Sequence, residues 1–329
     1  MISCLAVTGI GEVRAGDDLA ALLASGADLR DGDVLVVTSK VVSKAEGRVV
    51  RGEKAEALAA ETDRVVARRG PTAIVRTRLG LVMAAAGIDA SNTEPGTLVL
   101  LPADPDRSAR ALREALGADG PNVAVLISDT SGRAWRAGQT DIAVGAAGIE
   151  VLDDHAGRDD GYGNVLAVTA PAVADELTAA ADLVTGKLSR SPAAVVRGLG
   201  HLVLPRGRHG SGAAALVRAE AQDMFGLGSR EAVLQAAARQ DGRGFGDPAP
   251  AEELVATLSH ALPAPEATTS LASPDGVLVS LAAGTEPHLL GALEERARSV
   301  AFAHGWQAAA PDASDPGAGL RLLFSPGTP

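Results

Sequence analysis

Apolar positions along the chain fall into two alternating patterns, short continuous runs and stretches with helical spacing, which predicts a mixed α and β protein rather than a bundle or a sandwich. In GDDLAALLASG, Asp17 or Asp18 can cap a helix whose Leu19, Leu22 and Leu23 share a face and which Gly26 can end. DVLVVTS, residues 33 to 39, has the continuous apolar run of a strand buried on both faces. Further strands are predicted at 73 to 77, 81 to 86, 97 to 101, 123 to 128 and 193 to 198. Helical periodicity with a charged opposite face predicts helices over 54 to 68, 105 to 117 and 171 to 185. Between about 240 and 275 the chain turns to Gly, Pro, Ser and Ala, with DPAPAEE and LPAPEATT as linker-like pieces. A smaller unit is expected beyond, with a strand at 277 to 282, a helix from about 286 to 302 and a mostly irregular end. The expected fold class is α+β: mixed sheets with flanking helices in a large first domain, 1 to 228, followed by a small α/β segment, 229 to 329.

Composition narrows what such a fold can do. Hydrophobic residues make up 46% of the 329 positions and aromatics only 2%, so the core must be filled by Ala, Val and Leu, and platforms for stacking nucleobases are scarce. The formal net charge of -11 also argues against nucleic acid, which needs a broad basic surface. An anionic ligand would have to be drawn in locally, and Lys40, Lys44, Arg48, Arg51 and Lys54 form the one obvious basic cluster; a solvated face is the alternative. A lone cysteine, Cys4, excludes an intrachain disulfide and fits a reducing compartment. The N-terminus carries no basic residue before Arg14, and the Ala-rich stretch near 170 to 188 contains Asp175, Glu176 and Asp182. Neither a signal peptide nor a membrane span is expected, and the cytoplasm is the expected location.

Several familiar chemistries lack their motifs. Gly186-Lys187 is followed by Leu188 without the upstream glycine of a phosphate-binding P-loop, and no GxSxG, HExxH or CxxC occurs. The histidines at 155, 201, 209, 260, 288 and 304 do not fall at zinc-ligand spacing. What remains are carboxylates just beyond predicted strands: Asp89 in GIDASN and Asp129 in ISDTSGR. Loops past the carboxyl ends of strands are common ligand positions, and two such carboxylates converging would make a hard-oxygen site for Mg²⁺ or Mn²⁺. Both segments are equally good turns or caps. GRAWRAGQTD, 132 to 141, gathers Arg133, Arg136, Gln139 and Asp141 around Trp135, a mix suited to binding phosphate or carboxylate, or to a loop whose tryptophan anchors it to the core.

These segments together resemble one family, the coenzyme F420-0:gamma-glutamyl ligases. The likeness runs from about residue 5 to 225 through RAGDDLA, DGDVLVVTSKVVSKAEGRVV, RLGLVMAAAGIDASN, LLPADPDRSARALR, ISDTSGRAWRAGQTDIAVGAAGI, AGRDDGYGN, VADELTAAADLVTGK and VVRG, in family order. The resemblance implies a GTP-dependent ligase that adds L-glutamate to coenzyme F420-0 through an acyl phosphate, releasing GDP and phosphate. It implies that Asp89, Asp129 and Lys44 are catalytic, that Asp89, Asp129 and Thr130 bind Mg²⁺ or Mn²⁺, and that Ser39, Lys44 and Asn92 contact GTP. By the same likeness, Ile10, Gly11, Glu12 and Val13 form a nucleotide-contacting turn, although the family more often has Leu/Ile-Pro there, and Gly210, Ser211, Gly212 and Ala213 form another in a loop of altered sequence. A monovalent cation and a homodimer belong to the same set of implications. A metal-dependent ligase acting on another acceptor, and a non-catalytic nucleotide-binding relative, stay open as alternatives. Some family members carry a C-terminal nitroreductase-like domain with FMN; residues 229 to 329 resemble a shortened form, and FMN is not expected here.

Overall fold

The structure, a computed structural model, describes residues 1–91, 94–186, 191–309 and 319–327. Two compact units divide the chain, Met1–Val217 and Arg218–Pro329. In chain order the first unit contains β1 (Ser3–Val7), α1 (Leu19–Gly26), β2 (Val34–Thr38), α2 (Ser39–Ala45), β3 (Val49–Arg51), α3 (Lys54–Glu61), β4 (Thr62–Arg69), β5 (Thr72–Thr77), β6 (Val82–Ala84) and β7 (Thr97–Val99). Then follow α4 (Pro105–Gly117), β8 (Ala124–Gly132), β9 (Gln139–Ala147), α5 (Val173–Thr185) and β10 (Ala193–Arg197).

Five strands form the main sheet in the order β1-β10-β2-β8-β9. The β2–β8 pair is parallel and the other pairs are antiparallel, so the sheet is mixed, as expected of an α+β fold. Helices cover both faces, which is why β2 reads as an unbroken apolar run. Leu35 and Val37 pack with Leu23 of α1, Val42 of α2 and Leu112 of α4, whereas Val34 and Val36 pack with Leu177 and Ala181 of α5. Each helix meets the sheet through its spacing. α1 is capped by Asp18, which accepts from Ala21 N, and buries Leu19 and Leu23, four residues apart. Asp104 caps α4 in the same way with Pro105 in its first turn.

Two predicted elements of this unit differ in the structure. The helix predicted over 54 to 68 stops at Glu61, and Thr62–Arg69 is instead strand β4, paired with β5 through a turn at Gly70. Lys54–Glu61 is rich in helix formers, while β-branched Thr62 and Val65 pair with Thr77 and Val75 of β5; tertiary pairing overrides the continuing periodicity. The strand predicted over 81 to 86 is cut to Val82–Ala84, because Ala85, Ala86 and Gly87 take successive positive φ values of 50°, 55° and 69°. Left-handed alanines are costly, and the turn they make carries the chain to Asp89, which pairs with Val99.

A buried arginine ties the far side of the unit together. Arg113 of α4, 5% exposed, donates to the carbonyls of Val123, Leu204, Pro205 and Arg208 and to Asn122 Oδ1. Gly148 passes directly over it with φ +80°, and a Cβ there would lie 2.1 Å from Arg113 Nε.

The second unit adds α6 (Ser229–Ala238), α7 (Ala251–Ala261), β11 (Ala267–Ser273), β12 (Gly276–Leu281), α8 (Pro287–Ala303), β13 (Trp306–Ala308) and β14 (Arg321–Pro326). Its antiparallel sheet runs β11-β12-β14-β13. Val277, Val279, Leu322 and Phe324 form a core with Leu254 and Leu258 of α7 and Leu293 of α8, while Leu271 and Leu323 are exposed. Residues 321 to 326, expected to be irregular, are therefore an inner strand: alternate residues of RLLFSP reach the core, a pattern too short to stand out in sequence.

Gly148→Ala is expected to destabilise the protein by about 2–4 kcal/mol, combining left-handed strain with displacement of Arg113. Gly157, with φ +79° and open space around its missing Cβ, separates the two effects: Gly157→Ala should cost about 1 kcal/mol. Denaturant titration of both variants measures the difference.

Candidate functional site

The parallel pairing of β2 with β8 ends at Thr38 and Ser128, so the next residues, Ser39 and Asp129, lie side by side just past that ladder; Asp129, expected beyond its strand, is within β8, which continues to Gly132 in its pairing with β9. Ser39 Oγ donates to Asp129 Oδ1 at 2.9 Å. Because α2 begins at Ser39 with no intervening loop, Lys40 and Lys44 are one turn apart on the same face. Around this junction lies a cavity of about 860 Å³, lined by Ile10–Val13, Thr38–Val41, Lys44, Gly87, Asp89, Val99, Leu100, Ser128–Thr130, Asp141, Asp182, Thr185, Gly186, Ser191 and Pro192.

Ile10, Gly11, Glu12, Val13, Ser39, Lys44, Asp89, Asp129 and Thr130 thus share one cavity. Gly210, Ser211, Gly212 and Ala213 are not among its described lining residues. Their loop is fastened elsewhere: Asp106 of α4 accepts from the backbone N–H groups of Ala146, Ala213 and Ala214, and a Cβ at Gly210 would meet the Ile149 carbonyl at 2.2 Å. Arg133, Arg136 and Gln139 are exposed at the tip of the β8–β9 hairpin, also outside the described lining. Trp135 does not anchor that tip to the core: it is 87% exposed with φ +63°. Asn92 lies outside the described residues.

The basic cluster divides in the same way. Lys40 and Lys44 face the cavity, but Arg48 donates to the Leu101 carbonyl and pairs with Glu61, Arg51 pairs with Glu94 on the surface, and Lys54 is exposed at the start of α3. Both cavity lysines already face carboxylates: Lys40 Nζ lies 2.5 Å from Asp89 Oδ2, and Lys44 Nζ lies 2.6 Å from Glu12 Oε1.

The two predicted metal carboxylates are held in opposite electrostatic states. Burial pushes the Asp89 carboxyl up, but hydrogen bonds from Lys40 and from the Ser91 backbone and hydroxyl outweigh it and hold the group below the usual range. Burial also pushes the Asp129 carboxyl up, and there the charges of Asp141 and Asp89 add to it against the bonds from Ser39 and Thr130 N, leaving it at about 7. Five carboxylates, Glu12, Asp89, Asp129, Asp141 and Asp182, against two lysines line the described wall. A polyphosphate could enter such a cavity only with compensating cations. Asp89, Asp129 and Thr130 present oxygen donors alone, which suits a hard divalent ion. Among the described residues no three His, Cys, Asp or Glu side chains form a metal cage by themselves, so hydroxyls, water and phosphate oxygens would have to complete the coordination.

Sequence reasoning passed over Ser128, Asp182, Thr185 and Gly186 as cavity residues, named Lys40 only within the basic cluster, and noted Asp141 only as part of an arginine-rich segment. The signal for Lys40 was its spacing of four from Lys44. For Asp141 it was the polar Thr-Asp ahead of the apolar run IAVGAAGI, which marks the entry of a buried strand.

The raised Asp129 carboxyl has a definite sign for stability. A folded value of about 7 lies above the unfolded one, so the folded chain holds the proton more tightly, and stability present at low pH is lost as pH rises toward that value. In EDTA-treated protein Asp129→Asn should therefore melt above wild type at about pH 8, the gap closing toward about pH 4. Calorimetric melting across that range is the check.

Comparison with known proteins agrees with the arrangement of the first unit. The profile of the F420-0:Gamma-glutamyl ligase family matches residues 9–59 and 52–198. The Coenzyme F420:L-glutamate ligase of Methanopyrus kandleri is 41% identical over 236 residues, covering 65% of this chain and 93% of that protein. Those of Archaeoglobus fulgidus and Halobacterium salinarum are each 43% identical, over 214 and 218 residues, or 59% and 58% of this chain and 86% and 85% of the relatives. With the same stretch supplying every described lining residue of the cavity, the chain belongs to the F420-0:gamma-glutamyl ligase family.

Proposed function

We propose that the chain is a GTP-dependent ligase that forms an amide between the amino group of L-glutamate and the terminal carboxylate of coenzyme F420-0. The observation that carries this reading is the meeting of Ile10–Val13, Ser39, Lys44, Asp89, Asp129 and Thr130 in one cavity of about 860 Å³. That volume is at the large end of the ~300–1,000 Å³ typical of small-molecule sites, as two substrates and a nucleotide require. The family description and the names of the relatives supply the acceptor and the amino acid.

In this reading the γ-phosphoryl group of GTP passes to a carboxylate oxygen of the acceptor, leaving GDP and an acyl phosphate. The glutamate amine then attacks the carbonyl carbon; the C–N bond forms, the C–O bond to phosphate breaks, inorganic phosphate departs, and the amine proton goes to solvent. Magnesium or manganese held by Asp89, Asp129 and Thr130 would neutralise phosphate charge during the transfer. The protein's own part is positional. Lys44, fixed against Glu12, and Lys40, fixed against Asp89, are cations on one helical face beside the carboxylates, so charge is in place before the nucleotide arrives. The β8–β9 hairpin carries Asp129 and Asp141 on its two strands and Arg133, Arg136 and Gln139 at its tip, and we assign the tip to the anionic acceptor.

Asp129→Ala should lower turnover by about 10³-fold or more while the far-UV spectrum stays native. Product mass after incubation with coenzyme precursor, glutamate, GTP and Mg²⁺ tests both the reaction and the variant; full activity would remove the proposed role. Arg133→Ala combined with Arg136→Ala should raise the KM for the coenzyme precursor about ten-fold and leave the KM for GTP unchanged, as initial-rate measurements against each substrate would show.

A further inference from the structure

Asp141 is a cavity carboxylate with no place in the reaction described above. It is 5% exposed, and both of its oxygens accept hydroxyl protons: Ser128 Oγ donates to Oδ2 at 2.8 Å and Thr130 Oγ1 to Oδ1 at 2.9 Å. Thr130 and Asp141 are direct partners across the β8–β9 ladder, and Ser128 precedes Thr130 by two residues on the same face, just past a register shift after Ile127. From α5, Thr178 Oγ1 bonds the Asp141 carbonyl at 3.3 Å, which braces the strand from behind. A carboxylate has no proton to offer in return, so each hydroxyl commits its single proton to Asp141 and keeps its lone pairs for another partner. Thr130 is exposed and lines the cavity next to Asp129.

We propose that Asp141 is a positioning residue: by accepting from the Ser128 and Thr130 hydroxyls it turns the Thr130 oxygen lone pairs toward the cavity, where they join Asp129 and Asp89 in holding a divalent cation. The inference rests on the metal-dependent reading of the site. Asparagine has the same shape as aspartate but presents one acceptor and one donor. The hydroxyl that faces the amide nitrogen can no longer donate to it; Ser128 is buried and Thr130 opens on the cavity, so Thr130 is the one with room to reverse, and its proton would then point at the cation, which repels it.

The test is Mn²⁺ binding to the full-length chain, followed by electron paramagnetic resonance of the free ion and by the rise in melting temperature that the metal produces. Asp141→Asn is expected to weaken binding about ten-fold or more, and Thr130→Val by a similar factor. Thr130→Ser, which keeps the hydroxyl, should stay within about threefold of wild type. The double variant Asp141→Asn/Thr130→Val should bind within about twofold of Thr130→Val alone, because Asp141 acts through that hydroxyl. Wild-type affinity in Asp141→Asn or in Thr130→Val, or losses that multiply in the double variant, would overturn the positioning role while leaving the metal reading intact. If Asp141→Asn fails to fold, the Thr130 pair decides: equal affinities for valine and serine overturn the inference. A wild-type chain that binds no Mn²⁺ overturns the metal reading itself, and the positioning role with it.

Discussion

The parallel register of β2 against β8 is the constraint on which the rest of the site depends. Ser39 and Asp129 are separated by 90 positions, yet the alignment of Thr38 with Ser128 leaves them one residue beyond a shared ladder, close enough for a 2.9 Å hydrogen bond. That register is itself enforced by burial. With helices on both faces of the sheet, a one-residue slip of β2 would exchange Leu35 and Val37 for Val34 and Val36 at every contact with α1, α4 and α5. Hydrophobic packing thus sets a polar geometry without any polar residue having to specify it.

Upon that frame the cavity places more negative charge than its lysines balance. Lys40 and Lys44 reach it because α2 starts without a loop and presents positions four apart on one face, but each is matched to a carboxylate of its own, Asp89 and Glu12. Among the described residues Asp129 has no such lysine: it is pushed to about 7 chiefly by burial, with the charges of Asp141 and Asp89 adding to it. An acid raised in this way costs stability once it ionises, the kind of local cost that folds sustain at functional positions. Left-handed Ala85 and Ala86, on the turn that leads to Asp89, belong to the same pattern.

Much of this was legible from local chemistry. Asp18 announced α1, helical spacing with a charged opposite face announced α4, and the apolar runs of β2 and β8 announced strands, because caps and periodicity act over a few residues. The hairpin β4–β5 was not legible. Its first strand continues a helical pattern from α3, and only the ladder with Thr72–Thr77 turns Thr62–Arg69 into a strand. That Asp141 lies on the cavity was hidden for a related reason: it meets Thr130 across the ladder, and strand partners are not written in sequence spacing.

By itself, then, the chain's sequence determined the elements with strong local signals, the candidate acids Asp89 and Asp129, and the family whose ordered segments it shares. Tertiary structure alone decided which charges meet. It brought Lys40 and Lys44 into the cavity while sending Arg48 and Arg51 to other partners, placed Arg133 and Arg136 at an exposed tip, and used the Gly210–Ala213 loop to satisfy Asp106. The physical reason is range. Capping and periodicity are fixed within a turn or two of chain, whereas the field at a carboxylate is summed over whatever residues the packing of distant strands happens to bring near it.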